Sequence, residues 1–113
     1  MTANEYQAAC MRTASGVSVA TKDNLMLQGV MGMCGEAGEA VDVVKKTIFQ
    51  GHELDKEHLA IELGDVLWYV ATTATALDMT LEEVMQKNID KLSARYPEGF
   101  DADKSQHRSA NDV

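Results

Sequence analysis

Apolar residues recur along this chain at intervals of three and four, the period of an α-helix covered on one side. Leu27, Val30, Cys34, Ala37, Val41, Val44 and Ile48 mark out one stripe, which predicts a helix from an N-cap at Asp23 to Phe49. Leu59, Leu63, Val66, Leu67, Val70, Ala74 and Leu77 mark a second, from Asp55 to Leu77. Leu81, Val84, Met85, Ile89 and Leu92 mark a third, opening at Thr80 with Glu83 three residues on, the spacing of a capping box. A shorter segment, Ala3 to Ser15, comes first, and a loop containing Gly16, Ser18 and Thr21 follows it. Gly29, Gly32, Gly35 and Gly38 interrupt the long helix. Each costs roughly 1 kcal/mol against alanine, so they predict close helix packing or a local bend. Gly51 suits the end of that helix.

No alternating strand pattern competes with these helices, and the single proline, Pro97, falls too late to break any of them. Short connections predict antiparallel neighbours. The expected fold class is all-α, an antiparallel four-helix bundle over residues 1–97, with a polar C-terminal arm or tail over 98–113. Four short helices in 113 residues cannot bury all their apolar faces, which predicts self-association. No apolar run reaches membrane length and Met1–Glu5 lacks the pattern of a secretory signal, so a cytoplasmic protein with no membrane partner is expected. Cys10 and Cys34 lie in apolar surroundings without a CxxC, and read as reduced core thiols rather than a disulfide or zinc site.

A formal net charge of −8 argues against a nucleic-acid partner, which calls for a basic face. The acids themselves are informative. Glu36 and Glu39 stand three apart on the second helix, and Glu62 and Asp65 three apart on the third, so each pair shares a helix face. Counted from the turn at Gln50–Leu54, the first pair lies ~17 Å and the second ~13 Å along its helix, at 1.5 Å per residue. In an antiparallel hairpin the four carboxylates stand at nearly one height. Like charges a few ångströms apart repel. Two arrangements relieve them: the side chains point into water, or a hard divalent cation sits among them. An all-oxygen donor set favours Mg2+, with Mn2+ as the alternative. The small neighbours Gly35, Ala37, Gly38, Ala40 and Gly64 leave room for a metal and its ligand.

Asn88, Lys91 and Arg95 share a face of the fourth helix, either a solvated surface or a grip on phosphate oxygens. Lys46, on the side of the helix that carries Glu39, is a further phosphate candidate. Trp68 and Tyr69 read as core or interface aromatics, or as rings flanking a base; His52 and His58 read as surface or capping residues.

Taken in order, Gly35-Glu36-Ala37-Gly38-Glu39-Ala40-Val41-Asp42 with Lys45-Lys46, then Glu62-Leu63-Gly64-Asp65-Val66-Leu67-Trp68-Tyr69, then Asn88 with Lys91-Leu92, then Arg95-Tyr96-Pro97 and Gly99-Phe100, resemble the MazG-like nucleoside triphosphate pyrophosphohydrolases. The opening Tyr6-Gln7, Ala9 and Arg12-Thr13 resembles its small phage or prophage members. The resemblance implies an all-α oligomer and magnesium-dependent hydrolysis of an NTP or dNTP to monophosphate and pyrophosphate. By position it implies Glu36, Glu39, Glu62 and Asp65 as metal ligands, and Asn88, Lys91 and Arg95 as phosphate contacts. Glu39, or else Glu36, is the expected general base. One departure is Asp78, which follows Leu77 where a glycine is common. Alternatives are a related all-α enzyme of the dimeric dUTPase or phosphoribosyl-ATP pyrophosphohydrolase type, and a helical adaptor with solvated acids. A ferritin-like di-iron site is set aside, because neither His52 nor His58 has a glutamate three residues before it.

Overall fold

Side-chain caps start the first three long helices. At α1 (Ala3–Met11) the Thr2 hydroxyl accepts from the Glu5 N–H at 3.1 Å while the Glu5 carboxylate accepts from the Thr2 N–H at 3.4 Å, a reciprocal box. A 3₁₀ turn over Gly16–Val19 leads into α2 (Lys22–Phe49). Thr21 caps α2, accepting from the Asn24 N–H at 3.0 Å. Asp23, the expected cap, lies instead inside the first turn, where its charge meets the positive end of the helix. α3 (Lys56–Ala76) opens on Asp55 as predicted, with a 2.9 Å bond from the His58 N–H. α4 (Leu81–Arg95) and α5 (Ala102–Gln106) follow, the second inside the stretch expected to be a polar arm. The computed structural model describes residues 1–113, is all-α, and has no helix long and apolar enough to cross a membrane. Met1–Leu81 makes one compact unit and Glu82–Val113 another.

In the first unit α2 and α3 form an antiparallel hairpin. Gly29 faces Thr73 and Tyr69, Gly32 faces the Tyr69 ring, and Glu36 faces Glu62 and Asp65, so progress along α2 runs back along α3. The approach is close because the two glycines have no side chain. A Cβ at Gly29 would fall on Thr73 Oγ1, and one at Gly32 on the Tyr69 ring. At Gly35 and Gly38 a Cβ would meet nothing, so the close packing expected of all four glycines holds for the first two.

That choice of face overturns the expected burial of the α2 stripe. The buried residues of α2 are Leu25, Gly29 and Val43, whereas Val41 and Ile48 are each 65 % exposed, and Leu27 and Val30 are exposed as well. Glycines permit the shortest distance between helix axes, and rotating α2 to use them turns its large residues outward. On α3, Leu63 and Leu67 are also exposed. The thiols divide the same way: both are free, Cys10 is buried, and Cys34, expected in the core, is exposed.

α1 lies against the far end of α3. Cys10, Ala71 and Leu81 form the buried cluster, with Ala3, Tyr6, Trp68 and Val70 packed on it. Gln7 ties this region together: its amide donates to Met79 O at 2.9 Å and Thr75 Oγ1 at 3.0 Å, and its Oε1 accepts from the Leu81 N–H at 2.7 Å. The turn after α3 explains the one departure from the family pattern. Asp78 has φ 56°, the left-handed region that glycine enters most easily, and its carboxylate receives Lys22 Nζ at 2.6 Å.

Gly32→Ala is therefore expected to destabilise the fold by about 1–3 kcal/mol through overpacking on Tyr69. Gly38→Ala, whose methyl meets open space, should hold or raise the unfolding temperature. Thermal melts of the two variants against the parent check both.

Candidate metal centre

The hairpin delivers three of the four expected acids to one place. One carboxylate oxygen from each of Glu36, Glu62 and Asp65 lies within 4.8 Å of the other two. Glu36 comes from α2, Glu62 and Asp65 from α3, and the close contact at Gly29 and Gly32 sets the distance between them. Glu39 is exposed and stands outside this trio, although its charge still acts on Glu36.

The electrostatics record the crowding. Desolvation first, then a hydrogen bond shared with Glu62, then the charges of Asp65, Glu62 and Glu39 hold the Glu36 carboxyl above its ordinary 4.5. Glu62 is buried, and a buried carboxylate needs a partner. It has one that the sequence reading missed: His58 Nε2 lies 2.9 Å from Glu62 Oε1. A carboxylate only accepts, so Nε2 carries the proton in this contact. Its signal in the sequence is a His–Glu pair four residues apart on one helix, a different spacing and order from the di-iron motif. Tyr6 adds a link from α1, its hydroxyl donating to Gly64 O at 3.4 Å beside Asp65. Burial pushes that phenol up to about 12.

The donor set fits a small hard cation. All three groups offer carboxylate oxygens, the donors that Mg2+ takes. Next to the trio a cavity of about 390 Å³ is lined by Thr13, Glu36, Asp65, Trp68 and Tyr69. The Trp68 indole donates to Thr13 Oγ1 at 2.9 Å and its ring packs on the core. Tyr69 meets Trp68 edge-on and also borders a second cavity, of about 570 Å³, whose lining includes Asn24, Gln28 and Met31.

A model of the MazG nucleotide pyrophosphohydrolase domain matches residues 26–100, a stretch that holds all four acids. The chain belongs to the MazG nucleotide pyrophosphohydrolase family. It is similar to the Gene 37 protein of Mycobacterium phage L5, 42 % identical over 73 residues, which are 61 % of this chain and 64 % of that protein's length. No solved structure matches the chain. Of the remaining sequence candidates within the MazG match, Lys46 and Arg95 have partners of their own. Lys46 Nζ binds Asp42 at 2.9 Å, as Lys45 does at 3.0 Å. In the second unit Asn88 and Lys91 are exposed, while Arg95 is held by Asp112 through Nε at 2.7 Å and Nη2 at 2.6 Å.

The crowded trio has a measurable consequence. Raised in the fold, the Glu36 pKa makes its ionised form a burden that appears as pH climbs through that value and is absent below the unfolded-state one. In metal-free buffer Glu36→Gln is expected to unfold at a higher temperature than the parent near neutral pH. The two should converge as acid protonates Glu36. A variant that is no more stable at neutral pH contradicts the crowding.

Proposed function

We propose that this MazG-family chain is a magnesium-dependent pyrophosphohydrolase that converts an NTP or dNTP to monophosphate and pyrophosphate in the cytoplasm. The observation that carries the proposal is the meeting of Glu36, Glu62 and Asp65 across the hairpin, inside the stretch matched by the family. These three would hold the cation, with His58 fixing the orientation of Glu62. When bound there, Mg2+ offsets triphosphate charge and makes a water more acidic. Mn2+ suits the same donors.

The chain's own groups supply the rest. Glu39, one turn from Glu36 and outside the trio, takes the proton of the attacking water, since the other acids are committed to the cation. Lys91, Asn88 and Arg95 steady the phosphates of the leaving group, with Lys46 as a further contact. The base enters the cavity beyond Tyr69, where the ring offers a face and the Asn24 and Gln28 amides offer donors and acceptors.

The same reading makes the active form a homodimer or homotetramer. Val41, Ile48 and Phe49 on α2, with Leu63 on α3, are large apolar residues left exposed by the hairpin. Large apolar residues left exposed in this way suit a self-association surface. Ala40, Val41, Val44, Ile48, Phe49 and Leu59 line a groove of about 460 Å³ on it.

Product analysis over all NTPs and dNTPs tests the chemistry. Turnover should need a divalent cation, stop in EDTA, and fall about 100-fold or more in Asp65→Asn while the fold is kept. Full activity without metal, or in that variant, rules out the centre. Sedimentation tests the assembly. The parent should run as a dimer or tetramer at micromolar concentration, and Ile48→Glu should shift it toward monomer; a stable, active monomeric parent rejects it.

A further inference from the structure

The strongest anion contact in the second unit is made by the chain to itself. α4 presents Lys91 and Arg95 one turn apart, and α5 with the residues after it presents Lys104, His107 and Arg108 to the same cavity, of about 500 Å³. Asp112 is the one acidic side chain in its lining, against two lysines and two arginines, in a protein of net charge −8. The Asp112 carboxylate takes the Arg95 guanidinium in a two-pronged grip at 2.6 and 2.7 Å, and Arg95 Nη2 also donates to Val113 O at 3.2 Å. Both side chains are largely shielded, 9 % and 14 % exposed. This fork geometry is the one in which arginine also binds phosphate. Lys91, Lys104 and Arg108 form none of the chain's salt bridges, so the cavity keeps cationic charge that the single carboxylate does not match. The lowered pKa of Asp112 agrees: the Arg95 hydrogen bonds lower it first, and the charges of Arg108 and Lys91 lower it further.

We propose that Lys91, Arg95, Lys104 and Arg108 form a cradle for a phosphate or pyrophosphate anion, and that the strap 109–113 is its built-in competitor, with Asp112 standing where the anion binds. The inference extends the proposed phosphate role of Lys91 and Arg95 by adding Lys104, Arg108 and the strap. An arriving phosphate exchanges one charge-assisted fork for another at Arg95 and gains the unmatched lysines. The strap therefore opposes binding until an anion displaces it. Released, it frees Arg95 for the ligand.

Calorimetric titration of the full chain with inorganic pyrophosphate in EDTA tests this without any turnover. Asp112→Asn should bind at least about fivefold more tightly than the parent, and Asp112→Ala should move the same way. Arg95→Ala added to Asp112→Asn should remove the gain. Glu98→Gln makes the same change of charge on an exposed acid of the second unit that does not line the cavity, and should stay within about twofold of the parent. Unchanged affinity in both Asp112 variants, no binding in any variant, or an equal gain from Glu98→Gln overturns the proposal. A nucleotide turnover assay on the parent keeps the two readings apart. A strap effect without turnover refutes only the hydrolase; turnover with unchanged pyrophosphate affinity in Asp112→Asn refutes only the strap.

Discussion

Two helices approach most closely where neither inserts a side chain between them, and in this chain Gly29 and Gly32 of α2 provide that place against Tyr69 and Thr73 of α3. The contact lies one to two turns from Glu36, so it sets the spacing of the carboxylates beyond it. Wider helices would leave Glu36, Glu62 and Asp65 as separate solvated acids. Held this close, they are mutually repulsive until a cation or a proton intervenes, and desolvation first, then these neighbours, displace Glu36 upward.

The same contact decides what is left uncovered. A helix has one face to offer to its neighbour, and α2 offers the one with glycines and an acid. Its Leu and Val stripe, which the helical period picks out in the sequence, is turned to the outside of the chain. Stability and site geometry thus pull on different faces of one helix. The long α2 serves the acids from its inner side and presents an apolar surface from its outer side. A second copy covering that surface would bury what the hairpin cannot.

The supports around the acids come from residues outside the trio. His58, in the first turn of α3, meets the most buried acid, and Tyr6 reaches from α1 to the backbone beside Asp65. Gln7 fixes α1 to the end of α3 and to Leu81, with every amide atom used. A buried amide satisfied this fully specifies one arrangement, because any shift leaves a polar atom unpaired. In the second unit the cations are similarly preset, with Arg95 already holding a carboxylate in the form that a phosphate would need.

Much of this was legible without coordinates, because it depends on local geometry. Helical period, caps and a short turn are written in neighbouring residues, so the all-α class and the α2–α3 hairpin follow from them. Rise per residue then places Glu36 level with Glu62 and Asp65. What the sequence did not decide is rotation about the helix axis, since each residue turns the helix by about 100° and period alone does not say which face meets the neighbour. Packing chose the glycine face, which exposed Val41 and Ile48, brought Cys34 to the surface and left Glu39 outside the trio. Contacts that depend on the chain's return were equally beyond local pattern. Asp112 meets Arg95 across 17 positions because α5 turns the tail back, and no periodicity encodes that pairing.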